Sequence, residues 1–299
     1  MASLRVPINW SDVETGPGVF DWSSFDTVLM AAAPRKLEVV PFLLSSPSWV
    51  AASSTVLPVD TPAEKDAWTS FLRAAVQRYG PGGGFWSEHP SLVSQPIDTW
   101  QIWNEPNLSE FATPPDPARY AALVELSSNV IRGIDPGARV LLGGLFASPT
   151  VRQLGAYPAT SFLADMYRTG GARRSFQAVA LHPYASSYRS LEPPIKAMRR
   201  VMTRHGDGRK ALWVTEFGWS SRPRGEPFGK GANGQAEELG GALGLLWEHR
   251  LAWRIERAYW FSLTDSLDPH ACSFCVSSGL FTAGFRAKPA WRRFMAFTS

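Results

Sequence analysis

"DTWQIWNEPN", residues 98–107, decides how the rest of the chain is read. Trp100, Ile102 and Trp103 are interleaved with Thr99 and Gln101, a strand-like pattern of polar and apolar residues. Pro106 has no amide hydrogen to give to a sheet ladder, so the strand must end before it. Glu105 is therefore expected at a strand exit, not in mid-sheet.

Working outward from this stretch, six more segments read as strands. They are "LRVPINW" (4–10), "LEVVPFLL" (37–44), "RVLLGGL" (139–145), "QAVALHPY" (177–184), "ALWVTEFGW" (211–219) and "RAYWFSL" (257–263). Helix patterns lie between them at 62–80, 116–137 and 233–250. The first follows Thr61 and carries Pro62 in its first turn; the second has Asp116 as its N-cap and Pro117 at the first helical position. Strands separated by a helix and loops pair in parallel. Apolar strands without hairpin signals favour a sheet covered on both faces. The expectation is one α/β barrel domain over residues 1–299. "YGPGGGFW" (79–86) follows a helix and lacks a Lys-Ser/Thr partner, so it reads as a connecting loop and not as a phosphate cradle.

Composition bounds the function. Hydrophobic residues make up 44% and charged residues 19% of the chain, as in a globular protein. The formal net charge is +4, and its densest basic clusters, at 173–174, 198–200 and 291–294, read as solvated helix faces, not as a nucleic-acid stripe. No apolar run reaches membrane-spanning length. No signal peptide precedes the first strand; localisation stays open, and secretion fits if a natural amino-terminal segment is missing. The 13 tryptophans serve either as core filler or as flat platforms for sugar rings.

In a parallel barrel, functional side chains sit at the carboxyl ends of the strands. Those ends bring Arg5, Asn9, Trp10, Ser45 to Trp49, Asn104, Glu105, His182, Tyr184, Glu216, Trp219, Trp260 and Asp265. The set has no Gly-x-Ser-x-Gly elbow, no His-Glu-x-x-His helix and no clustered metal ligands, and no cofactor is expected. Lys36, Lys65, Lys196, Lys210, Lys230 and Lys288 all fall away from strand exits, so a Schiff-base mechanism has no residue to use. Glu105 and Glu216 end the third and sixth visible strands, which places them on facing walls of one pocket. A strand-end glutamate is often only the ion-pair partner of an arginine. Two of them beside aromatics and an amide suit cleavage of a glycosidic bond.

"WQIWNEPN", "LHPYA" and "LWVTEFGWSS", in this order, resemble clan A of the glycoside hydrolases, especially families 5 and 39. "RVPINWSDVE", "GVFDWSSFD", "FLLSSPSWVA" and "YWFSLTD" extend the resemblance over essentially the whole chain. It implies a (β/α)8 barrel and a retaining, two-glutamate mechanism on a β-linked oligo- or polysaccharide. By resemblance Glu105 is the acid/base, Glu216 the nucleophile, Asn104 a ligand of the sugar 2-hydroxyl, and Arg5 the holder of the nucleophile. His182 and Tyr184 match sixth-strand positions, with Tyr184 a donor near Glu216, and Trp260 is the platform under the cleaved sugar. Trp219 and Trp49 complete the expected substrate contacts.

The departure from the clan is at the amino terminus, where its first strand has no counterpart, leaving seven visible strands. The expectation is a barrel lacking its first strand–helix unit, with a slot between the strands of Arg5 and Tyr259, low stability and weak activity on natural substrates. Open edges of this kind invite self-association. Two other readings stay open: a non-catalytic or weakly active sugar-binding barrel, and a transglycosylase using the same residues. Cys272 and Cys275, in "HACSFCVSSG", read as a local loop staple or as two plain thiols, without a catalytic part.

Overall fold

The structure, a computed structural model, describes residues 3–148, 156–225, 228–268, 272 and 274–298. Its strands are β1 (Ser3–Asn9), β2 (Glu14–Gly16), β3 (Val19–Phe20), β4 (Glu38–Leu44), β5 (Thr99–Ile102), β6 (Arg139–Leu142), β7 (Leu145–Phe146), β8 (Ala178–His182), β9 (Ala211–Phe217) and β10 (Ile255–Trp260). The main sheet runs β1-β4-β5-β6-β8-β9-β10, with β7 also paired to β8, and every pairing in it is parallel. β6 and β7 are two pieces of one barrel position, so the sheet fills seven positions of a (β/α) barrel.

The break between β6 and β7 falls where the sequence reads as one strand, 139–145. Gly143 and Gly144 interrupt it. A Cβ on Gly144 would lie 1.8 Å from His182 Nε2, so only glycine leaves room for that ring. The last strand begins at Ile255 and stops at Trp260, earlier than its hydrophobic run. Beyond it, Ser262 and Leu263 bond instead to the returning segment at Leu280 and Phe281. A small antiparallel hairpin, β2 with β3, turns through Gly18 at φ 74° and stands apart from the barrel sheet, contrary to the reading without hairpins.

The helices are α1 (Trp10–Val13), α2 (Ser23–Ala32), α3 (Pro62–Tyr79), α4 (Gly84–Glu88), α5 (Pro117–Ile134), α6 (Ala159–Tyr167), α7 (Glu192–Arg204), α8 (Gly231–Glu248) and α9 (Pro289–Thr298). α3 starts at a capping box: Thr61 Oγ1 accepts from Glu64 N at 3.2 Å, and Glu64 Oε2 accepts from Thr61 N at 3.2 Å. At α5, Asp116 Oδ1 accepts from Ala118 N at 2.7 Å and from Arg119 N at 3.2 Å. No described helix is long and apolar enough to cross a membrane.

β1 and β10 are the two ends of the sheet, and no backbone pairing joins them among the described residues. Side chains span the opening instead. Ser3 Oγ donates to Tyr259 Oη at 3.0 Å, and Arg257 pairs with Glu38 at 2.8 Å. Inside, Val40, Leu141, Ala178, Ala180, Trp213 and Tyr259 make one buried cluster. The barrel is thus incomplete as a ladder of backbone bonds but packed within.

Candidate active site

The site is assembled from strand exits on four sides. The chain kinks twice as it leaves β5: Trp103 has φ 67° and Glu105 φ 40°, both in the left-handed region that side chains rarely adopt. Trp103 N still reaches Leu43 O at 2.7 Å, and its indole donates to Phe111 O at 2.7 Å, which pins the first kink. Leu108 N donates to Glu105 O at 2.8 Å, which pins the second. Asn107 ties this turn to β7 by exchanging hydrogen bonds with Phe146. These bonds explain the Asn-Glu-Pro stretch: the backbone is forced out of the sheet, and Glu105 is held rigidly at its exit.

Arg5, in the middle of β1, organises the floor. Its guanidinium donates to Glu216 Oε1 at 2.6 Å, to Gln101 Oε1 at 2.6 Å and to Asn104 Oδ1 at 2.7 Å, above the ring of Phe42. A fork with three fixed acceptors holds both charge and direction. Tyr184 Oη donates to Glu216 Oε2 at 2.9 Å, so both oxygens of this carboxylate are held. Burial, and next the Glu216 charge, push the Tyr184 phenol well above its ordinary value, so it stays a donor.

Glu105 has a different neighbourhood. Its Oε1 lies 2.7 Å from His182 Nδ1, and His182 Nε2 lies 2.9 Å from Thr215 Oγ1. Burial first, and Arg5 second, push the His182 ring well below its ordinary value, so it is neutral. Whichever ring nitrogen carries the proton, the Thr215 hydroxyl can answer Nε2, accepting from it or donating to it. Burial is also the main cause that lifts the Glu105 carboxyl well above the usual 4.5; the charges of Glu216 and Glu110 add to it, and Arg5 opposes it. Oxygens of Glu105 and Glu216 approach within 4.8 Å. These two and His182 could together hold a cation, but Arg5 already supplies the positive charge at Glu216, and His182 occupies one oxygen of Glu105.

The aromatic residues divide. Trp260 is half-buried, its indole donates to Ser278 O at 3.0 Å, and its ring packs on Phe217 and Trp219. Trp219 is fully buried, packs on Trp260 and donates to Ala185 O at 2.8 Å. Trp49 stands at the exit of β4, pinned to Glu14 O at 3.1 Å and edge-on to Trp10, outside the Arg5–Glu216 network. Two further acids are structural. Glu14 accepts from the Trp10 indole and Gly18 N, and Asp265 accepts from Lys288 and Gly279 N.

Sequence reasoning missed Gln101, Thr215 and the phenylalanines around Tyr184. Gln101 had a signal, since it alternates inward with Thr99 and Trp103 follows at the exit. Phe146, Phe228 and Phe274 ring Tyr184 at centroid distances of 5.7, 6.1 and 5.2 Å, and no local pattern could announce this. Phe274 sits between Cys272 and Cys275, which form a disulfide. His270, Ala271 and Ser273 of that loop lie outside the described residues.

No family model matches the chain, and no curated protein does. Solved structures do. A family 39 glycoside hydrolase from the gut symbiont Bacteroides cellulosilyticus WH2 superposes with TM-score 0.71 and 17% identity, covering 96% of this chain and 56% of that one. A family 5 glycoside hydrolase from Streptomyces cattleya, solved with Manβ1-4GlcNAc, gives 0.70 and 16%, with 99% and 71% covered. A monomeric β-xylosidase from Caulobacter crescentus CB15 gives 0.66 and 16%, with 100% and 68% covered. The chain therefore spans between about half and seven-tenths of these proteins, and it shares the barrel fold of clan A glycosidases.

Proposed function

We propose that this protein is a retaining β-glycosidase in which Glu216 is the nucleophile and Glu105 the acid/base. The observation that carries the reading is the pairing of two carboxylates, with an oxygen of each within 4.8 Å of the other, in different surroundings at the exits of parallel barrel strands. Separations near 5 Å suit double displacement, whereas inversion needs roughly 6.5–9.5 Å to admit a water.

In the first step a Glu216 oxygen attacks the anomeric carbon, and the bond from that carbon to the glycosidic oxygen breaks. The leaving oxygen takes the proton of Glu105. The raised affinity of Glu105 for its proton suits this acid role, and its Oε2, which has no partner among the described residues, is the atom free to deliver it. In the second step Glu105, now a carboxylate, takes a proton from water. That water attacks the anomeric carbon and releases Glu216. Arg5 and Tyr184 hold both Glu216 oxygens, and Arg5 also fixes the Asn104 carbonyl oxygen, which leaves the Asn104 amide nitrogen for the sugar 2-hydroxyl. Trp260 offers its half-exposed ring as the platform.

The test is a panel of aryl β-xylosides, β-mannosides and β-glucosides, chosen because neighbours of this fold include a β-xylosidase, an exo-β-1,4-mannosidase and a glucosidase. Release of the aryl group with the product anomer first formed as β supports the reading; a first-formed α-anomer overturns it. Binding without turnover across the panel would mean a sugar-binding barrel. Longer products on adding an acceptor sugar would mean a transglycosylase.

A further inference from the structure

The end of the barrel opposite the carboxylate pair carries a second concavity, and nothing in the proposed chemistry uses it. It has a volume of about 620 Å³ and lies between the last turns of α7 and the segment that enters β10. Lys196, Arg199, Arg200, Arg204 and Arg254 line it. Two of them, Arg199 and Arg200, belong to a cluster whose sequence reads as a plain solvated helix face.

The positive charge is poorly answered by protein. Lys196 pairs with Glu192, but no carboxylate pairs with Arg199, Arg200, Arg204 or Arg254 among the described residues. Asp207, nearby in the chain, is spent on Arg173, Lys210 and the Tyr167 hydroxyl. Arg199 is fixed by donating to Gly208 O at 2.6 Å and Lys210 O at 2.8 Å, and Arg254 reaches Arg209 O. The carboxyl end of α7 attracts cations, but its dipole amounts to only about half a charge and does not balance four guanidinium groups. Burial, and then the Arg254 charge, lower the Arg199 pKa, which fits cations crowded without counter-charge.

We propose that this basal groove is a binding site for a small multivalent oxyanion carrying phosphoryl or sulfuryl groups. Guanidinium forks match the geometry of tetrahedral oxyanions, and the volume is that of a small-molecule site. The groove is short, and its one aromatic, Trp253, is 4% exposed, so it offers no platform on which nucleobases could stack.

The experiment is isothermal titration with sodium pyrophosphate, and separately with sodium sulfate and with dextran sulfate, at ionic strength matched with sodium chloride. Thermal melts under the same conditions accompany it. The variants are R200Q/R254Q and a control of equal charge change elsewhere, R35Q/R132Q. Pyrophosphate is expected to bind wild type and control saturably at one site and to raise their melting temperatures. In R200Q/R254Q the affinity should fall roughly ten- to a hundredfold, with the melt in chloride unchanged. Equal binding by R200Q/R254Q and wild type, or no saturable binding by wild type, overturns the proposal. So does binding of dextran sulfate without binding of pyrophosphate, which would indicate an extended polyanion. An equal loss in R35Q/R132Q would reduce the effect to net charge and also overturn it.

Discussion

Glu105 and Glu216 share one network and are held by opposite means. Glu216 is gripped by a permanent cation and a phenol, each donating to one of its two oxygens. Glu105 faces a neutral imidazole and is enclosed by protein, which favours its protonated form. The difference comes from the inward-facing residues of neighbouring strands: Arg5 on β1 bonds Glu216, while His182 Nδ1 on β8 lies 2.7 Å from Glu105 and 3.6 Å from Glu216. A pair of identical side chains acquires two different surroundings through what is packed beside each.

The sharpest way to break this comparison is to remove each carboxylate. Glu216→Ala and Glu105→Ala should each lower turnover of a natural glycoside on the order of 10⁴-fold. Added azide should restore Glu216→Ala as the α-glycosyl azide and Glu105→Ala as the β-glycosyl azide; the reverse pattern would exchange the roles. A smaller effect is expected from Arg5→Lys, which keeps a charge but loses the fork to Glu216, Gln101 and Asn104. Its kcat/KM for an aryl glycoside should fall about 10²–10³-fold, as when one fixed electrostatic partner is lost.

The protonation half of the comparison has its own test. Because the folded-state pKa of Glu105 is raised, its contribution to stability is intact below the ordinary value of 4.5 and is lost as pH rises through the higher folded value. Glu105→Gln should therefore melt like wild type in acid and a few degrees above it in alkali, a difference that thermal melts across pH would show. Activity should decline over the same alkaline limb. Glu110 helps to raise the Glu105 pKa, so Glu110→Gln should move that limb to lower pH, by a few tenths of a unit at most because Glu110 is exposed. The smallest effect is expected from Cys272→Ser with Cys275→Ser. The disulfide fastens Phe274 against Tyr184 and touches neither carboxylate, so the rate on a good substrate should stay within a small factor.

The sequence made the strands legible wherever β-branched and aromatic runs ended in turn residues, and it made the two glutamates legible because both fall at such ends. It could not show that 139–145 breaks in two at Gly143 and Gly144, or that Gly144 makes room for His182, far along the chain. Nor could it separate Trp219 from Trp260: both follow strand exits, and only packing decides that one lies beneath the other. The hairpin of β2 and β3 was written in "TGPGV", whose glycines permit the turn, yet it is too short to show an alternating pattern. Phe274 reaches Tyr184 through a loop whose path only the disulfide and its packing define.

Arg5 lies on the first strand and Glu216 on the strand next to the last, so their ion pair reaches across the opening that no backbone bond closes. It is a tie-rod as well as a piece of chemistry. Under the proposed double displacement, esterification at Glu216 discharges one end of that rod and hydrolysis recharges it. Each turnover would then slacken and retighten the unlaced side of the barrel, making the lifetime of the glycosyl-enzyme also the interval in which the molecule is most loosely sewn.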